Sequence, residues 1–118
     1  MEKRCVTVSG LPGSGTTTIS RALSKKTNLN IYSSGEAFRT MASKMGLTLS
    51  ELTELSEKEK SIDLEIDEFA LHKLENGKCI VEGRLVGWMA YGNDISAFKI
   101  WITAKEDIRH NRIVLRDR

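Results

Sequence analysis

The sequence is poor in the residues that mark secreted, membrane-spanning or linker-rich chains. It holds two cysteines, Cys5 and Cys79, and one proline. The cysteines form no CxxC spacing, which excludes a disulfide scaffold, and one proline excludes a Pro-rich scaffold. His72 and His110 have no companions at metal-ligand spacing, so neither cysteine nor histidine reads as a metal ligand. Both thiols are expected to be reduced and buried, in a cytoplasmic protein. No apolar run approaches the ~20 residues of a membrane span. The run at 5–8, behind a charged start, is too short for the core of a signal peptide. Charge bias is missing as well: Lys+Arg 18 against Asp+Glu 16 leaves +2, with both signs mixed along the chain. That balance argues against a nucleic-acid partner and against a membrane surface. There is no repeat and no low-complexity segment.

What is present is enough for one folded domain: 118 residues, 40% hydrophobic and 29% charged. Hydrophobic periodicity alternates between strand and helix. Residues 4–9 (RCVTVS) are β-branched and run into Gly10, as a strand into a turn. A helix is expected over 16–26, with Ile19, Ala22 and Leu23 on one face. A short strand follows at 30–33. Phe38, Met41, Ala42 and Met45 then mark a helix from Gly35 to Gly46. Thr48 and Glu51 fit a capping box for a third helix, burying Leu49, Leu52 and Leu55. The charged run at 57–60 reads as a solvated helix end or connection. A fourth helix carries Ile62, Ile66, Phe69, Ala70 and Leu74 on one stripe and stops at Asn76 and Gly77. Strands at 78–82 and 97–103 and a helix over 104–118 complete the order, with Glu106 and Asp107 where a helix dipole favours them. This alternation predicts an α/β fold, a parallel sheet flanked by helices.

The chemistry is concentrated between the first strand and the first helix. Gly10, Leu11, Pro12, Gly13, Ser14, Gly15, Thr16, Thr17 and Thr18 have the glycine placement of the phosphate-binding loop GxxxxGK[ST], in the strand–loop–helix setting that motif requires. Its glycines let successive N–H groups turn toward phosphate oxygens, and the helix N-terminus adds partial positive charge. The Thr17 hydroxyl stands where the motif binds Mg²⁺. The plain alternative is a glycine-rich turn without a ligand. Thr16 departs from the pattern, because the motif places there a lysine whose charge reaches the β- and γ-phosphates. Either another cation takes that role, or the loop binds nucleotide without catalysing transfer.

Three further clusters fall near strand ends, where an open parallel sheet binds ligands. The segment 33–39 (SSGEAFR) brings Arg39 one turn into a helix. Glu82, Gly83 and Arg84 close the third strand, offering a carboxylate for a Mg²⁺-bound water and a guanidinium for a phosphate. Arg109, Arg112 and Arg116 share roughly one helical face. Taken singly, each has an ordinary explanation: a capped helix start, a surface ion pair, a solvated basic face. Together with the loop they converge on one crevice.

In these motifs the sequence resembles the nucleoside monophosphate kinases of the P-loop kinase superfamily, most closely the archaeal-type cytidylate kinases. The stretches that carry the likeness are GLPGSGTTT at 10–18, SSGEAFR at 33–39, EID at 65–67, EGRLVGWM at 82–89, IWITA at 100–104 and RIVLR at 112–116. The EGR-x-x-GWM block discriminates best, since adenylate kinases carry a DGFPR-like segment there. The resemblance implies a transferase that moves the γ-phosphoryl group of ATP, with Mg²⁺, to CMP or dCMP. It implies that residues 10–18 cradle the ATP phosphates, with Thr17 on Mg²⁺. Arg39 and Arg84 would hold the acceptor phosphate, Ser34 would lie against the acceptor, and Glu82 would be the strand-end carboxylate. Arg112 would lie near adenine and Arg116 near the transferred group, so that Arg84, Arg116 and Glu82 form the catalytic set. Residues 35–76 would be the helical acceptor-binding segment and 109–118 the start of a lid.

The resemblance also implies more chain than is present: the remainder of a lid, a fifth parallel strand and closing helices. Residues 1–118 therefore read as the N-terminal part of such a kinase, in which the fourth strand is an exposed edge with apolar neighbours. Two other readings stay open, a non-catalytic nucleotide-binding remnant and another monophosphate kinase such as adenylate kinase.

Overall fold

The computed structural model describes residues 5–116. Arg4 of the first expected strand, and residues 117–118 of the last helix, lie outside the described residues. Strands β1 (Cys5–Gly10), β2 (Asn30–Ser33), β3 (Cys79–Glu82) and β4 (Ala97–Ile102) form one sheet in the order β2-β3-β1-β4. Every pairing is parallel, so the carboxyl ends of all strands lie along one rim. Helices α1 (Thr16–Thr27), α2 (Ser34–Met45), α3 (Leu49–Lys58), α4 (Lys60–Asn76), α5 (Val86–Gly92) and α6 (Glu106–Arg116) supply the crossovers and flank the sheet. The α/β fold expected from the alternation is the one observed.

Register explains the main core. Cys5 pairs with Cys79 and Thr7 with Val81, so their side chains share one sheet face. Onto that face α4 brings Ala70 and Leu74, and α5 brings Val86 and Ala90, all buried. Complete burial of a leucine or valine side chain contributes about 1.5–3 kcal/mol. The stripe of α4 is a single ridge of Ile62, Ile66, Ala70 and Leu74 at a spacing of four residues. Phe69 falls one position off that ridge and is 55% exposed, its ring stacked on Tyr32 at 6.5 Å. A second cluster holds α2, α3 and the start of α4 together through Ala42, Leu52 and Ile62. The capping box is present as expected, Glu51 N–H donating to Thr48 Oγ1 at 3.1 Å and Thr48 N–H to Glu51 Oε1 at 2.9 Å. Those bonds hold the Glu51 carboxyl below its ordinary pKa.

Three sequence expectations are corrected. The α1 face marked by Ile19 and Ala22 is exposed, and the buried residue of that helix is Ser20. Close approach of α1 to the sheet selects the small side chain, and Leu23 of the expected face is half-buried. A helix also intervenes between β3 and β4, in a stretch without a periodic hydrophobic signal. This α5 spans 7 residues, and its docking is tertiary: Gly87 N–H donates to Ser9 Oγ of β1 at 3.0 Å. Finally, α2 begins at Ser34, with Ser33 as its N-cap. The expected exposure of the fourth strand holds, for Phe98 and Trp101 are 70% and 51% exposed.

Cys5 and Cys79, far apart in sequence, are neighbours across the sheet with sulfurs 4.0 Å apart, both free thiols and both buried. They donate to the Leu74 and Lys73 carbonyls respectively. Burial, reinforced by the Cys5 thiol beside it, pushes the Cys79 thiol up to about 12. Among the described residues no helix is long and apolar enough to cross a membrane.

Candidate functional site

The loop between β1 and α1 is a tight turn, with both Ser14 N–H and Ser14 Oγ donating to the Leu11 carbonyl, at 3.1 and 2.7 Å. Leu11 and Pro12 are exposed at its tip, while Ser14 is buried. Gly13 sits at φ +82, and a Cβ built on it would lie 2.5 Å from the Arg109 carbonyl oxygen of α6. Only glycine permits both that conformation and that approach. Helix α1 starts at Thr16 behind Gly15, with no side-chain cap and no acidic residue in its first turn. The other long helices α2, α3, α4 and α6 each carry an acid there. The first-turn N–H groups of α1 thus have neither a side-chain cap nor an acidic side chain beside them.

Glu82 ends β3 on the same rim and is 5% exposed. Its Oε1 accepts from Thr17 Oγ1 at 3.2 Å and from Ser33 Oγ at 2.9 Å, joining the loop helix to the end of β2. Its Oε2 is buried with no partner among the described residues. A lone buried carboxylate oxygen is costly unless something binds it. Thr17, Ser33 and Glu82 line a cavity of about 310 Å³ together with Ser20, Arg21, Glu36 and Arg39. The Arg39 guanidinium lies over Gly35 at the start of α2. A second groove of about 480 Å³ between α2 and α4 shares Ile31, Ser33 and Glu36 with this cavity. Burial and the neighbouring Asp67 raise the hydroxyl of Tyr32 at its wall, and outside the lining burial and Asp63 raise the Asp67 carboxyl.

The expected residues are therefore brought together in large part. Arg39, Thr17 and Glu82 share one cavity, and of residues 10–18 Thr17 alone is in its lining. Arg84 lies exposed in the turn after β3. Ser34 packs against the backbone at Gly83. Arg112 Nη1 donates to the Gly13 carbonyl at 3.0 Å, so its guanidinium rests on the β1–α1 loop itself. Arg109 turns its Nε to Ala104 O at 3.2 Å, and only its backbone meets the loop. Arg116 closes α6 and is exposed. Of the cavity residues, Ser20, Arg21 and Ile31 were not singled out in the sequence, and Ser33 and Glu36 stood only within the segment 33–39. Ser33 could have been found from the Ser33–Glu36 capping spacing, and Arg21 from its position one turn after Thr17.

A family model described as the AAA domain matches residues 6–118. The cytidylate kinase of Archaeoglobus fulgidus is 39% identical over 113 residues, which are 95% of this chain and 61% of that protein. The cytidylate kinase of Methanosarcina mazei is 46% identical over 116 residues, 96% of this chain and 63% of that protein. These are relatives of the kind the motifs resemble, and the chain spans less than two thirds of their length. Among solved structures, a candidate kinase from Chloroflexus aurantiacus superposes with a TM-score of 0.70 at 19% identity, covering 98% of this chain and 68% of that one. Shikimate kinase from Aquifex aeolicus gives 0.57 at 17%, covering 89% and 62%. At such identities the two structures speak for the fold alone.

Proposed function

The chain belongs to this AAA domain family, and we propose that it serves there as a phosphotransferase that moves the γ-phosphoryl group of ATP to CMP or dCMP. The observation that carries the proposal is the Glu82 carboxylate, bonded at once by Thr17 of the phosphate loop and Ser33 of the α2 cap, with Arg39 in the same cavity. That arrangement sets a donor-phosphate cradle against a cationic acceptor pocket. The choice of cytosine rests on the archaeal relatives.

In the proposed reaction an oxygen of the CMP phosphate forms a bond to Pγ of ATP, and the bond from Pγ to the β,γ-bridging oxygen breaks. The products are CDP and ADP. The acceptor phosphate is already anionic, so no strong base is required, and positioning with charge neutralisation dominates the barrier. Residues 10–18 hold the donor phosphates through backbone N–H groups. Arg39 and Arg84 hold the acceptor phosphate, Ser34 borders the acceptor, and Arg116 attends the transferred group. Residues 35–76 form the acceptor-binding segment and 109–118 the start of the lid, closure of which limits hydrolysis. Glu82 Oε2, unpartnered among the described residues, on a carboxylate whose Oε1 accepts from Thr17, fits a hydrated divalent cation. Thr17 and Glu82 are the residues that would hold Mg²⁺, which when bound neutralises phosphate charge. The partners are nucleotides, with no part for nucleic acid or a membrane, and the compartment is the cytoplasm.

The test is an acceptor panel: the chain with MgATP and, separately, CMP, dCMP, UMP and AMP, with the diphosphates quantified. CDP and dCDP are the expected products. Equal conversion of AMP would make it an adenylate kinase, and nucleotide binding without any product would make it a non-catalytic remnant.

A further inference from the structure

We propose that Cys5 and Cys79 are an oxidisable pair, closing to an intramolecular disulfide when a peroxide reaches Cys79 through a cavity at the amino end of the sheet. The proposal stands apart from the kinase reading and uses no residue of that site. Such a reaction needs two thiols within reach, a backbone that can carry the bridge, and a way in for the oxidant. The two sulfurs are 4.0 Å apart, and both cysteines are free. Cys5 and Cys79 are direct partners in the parallel pairing of β1 with β3. Adjacent strands lie about 4.8 Å apart, inside the roughly 4.4–6.8 Å between α-carbons that a disulfide spans. The side chains share one face, so the thiols can rotate toward each other with the strands in place. At present Cys5 donates to the Leu74 carbonyl at 3.1 Å and Cys79 to the Lys73 carbonyl at 3.3 Å. The Lys73 carbonyl also accepts from Gly77 N–H at 3.2 Å, so it keeps a partner when the Cys79 proton leaves.

Access assigns the two roles. Cys79 is in the lining of a cavity of about 280 Å³, with Asn30, Tyr32, Lys73, Asn76 and Lys78 around it. Cys5 is 1% exposed and is not in that lining. Cys79 therefore attacks the peroxide oxygen, becoming a sulfenic acid and releasing one water. The Cys5 sulfur then attacks the Cys79 sulfur and expels a second water. In sum, two thiols and one hydrogen peroxide give one disulfide and two waters, two electrons passing from sulfur to the peroxide bond. Burial pushes the Cys79 thiol up to about 12, against which the Lys73 charge favours the thiolate, so closure is slow. The bridge ties residues 74 apart in sequence, a long loop whose closure restricts the unfolded chain strongly. It lies at the amino ends of β1 and β3, away from the rim that holds Glu82.

The test incubates the reduced, folded 118-residue chain with hydrogen peroxide and follows it by alkylation in denaturant, peptide mapping by mass spectrometry, and melting. The expected product is a monomer with no thiol left to alkylate and a Cys5–Cys79 linked peptide two hydrogens lighter than its parts. Dithiothreitol returns both thiols. Oxidation is expected to raise Tm by roughly 8–16 °C, the usual effect of a disulfide in a domain of this size. The double variant Cys5→Ala, Cys79→Ala, treated alike, shows what peroxide does elsewhere in the chain and should gain no Tm. Cys5→Ala is expected to stop at a sulfenic acid on Cys79, trapped by dimedone, while Cys79→Ala leaves Cys5 unreacted. The linked peptide is read in the wild-type chain, so the result does not hang on the variants folding. Thiols that survive in the native chain and react only after urea has unfolded it would overturn the proposal. So would oxidation that runs on to sulfinic acid without a linked peptide, or disulfides formed only between chains.

Discussion

Replacing Gly13 with alanine separates what the phosphate loop costs the fold from what it contributes to the site. Two effects are superimposed there. Gly13 lies at φ +82, and an alanine in the left-handed region costs about 1–2 kcal/mol. The added methyl would also stand 2.5 Å from the Arg109 carbonyl oxygen and 2.9 Å from its Cα, backbone atoms that cannot swing aside. Helix α6 must move outward, taking Arg112 off the loop. Gly46 at the end of α2 is the control, with φ +70 and nothing within 4 Å of its would-be Cβ. At about 4 °C per kcal/mol for a domain of this size, Gly46→Ala should lower Tm by about 4–8 °C. It should leave ATP affinity unchanged. Gly13→Ala should lower Tm at least as much and weaken ATP at least about tenfold, since both the inward N–H groups and the Arg112 contact are disturbed. Melting by circular dichroism and ATP binding by calorimetry read the two effects apart. A Gly13→Ala chain that binds ATP as tightly as Gly46→Ala would refute the assignment of this loop to phosphate.

Three further outcomes are expected. Arg39→Ala should raise KM for CMP by roughly 10- to 150-fold, the worth of a charge-assisted hydrogen bond, while KM for ATP holds steady in initial-rate kinetics. Ser9→Ala removes the acceptor for the half-buried Gly87 N–H, which should cost about 1 kcal/mol in a urea titration. The Cys79 thiol, raised from 9.0 to about 12, favours its neutral form in the fold. Its contribution is whole below pH 9 and is lost as pH rises toward 12, because the unfolded thiol releases its proton first. Urea midpoints taken at about pH 8 and about pH 10.5 should fall further for the wild type than for Cys79→Ala.

Local signals made most of the architecture legible before the structure. The β1–loop–α1 unit is written in consecutive residues, and the Thr48–Glu51 capping pair marks the start of α3 by itself. Failures occur where placement depends on distant partners. Helix α5 is too short to show a period, and it is positioned by a bond from Gly87 to Ser9 across the fold. Phe69 has the right hydrophobicity for the α4 stripe but the wrong phase for a ridge spaced by four residues. The cysteine neighbours follow from parallel register, which spacing does not encode. At the site, Glu82 and Arg39 were visible as strand-end and helix-start residues. Ser33 stands in the segment 33–39, one residue before the expected Ser34, but its bond to Glu82 follows from the pairing of β2 with β3. The resemblance puts Arg112 near adenine, and its seat on the Gly13 carbonyl is a property of how α6 packs.

Single-turnover transfer is the most direct measure of the central claim. The chain in excess over γ-³²P-labelled ATP with Mg²⁺ is mixed with and without CMP and quenched over time. The account predicts label moving from ATP into CDP, dependent on CMP and abolished by Glu82→Ala. Label that stays in ATP, or leaves only as inorganic phosphate, would contradict it.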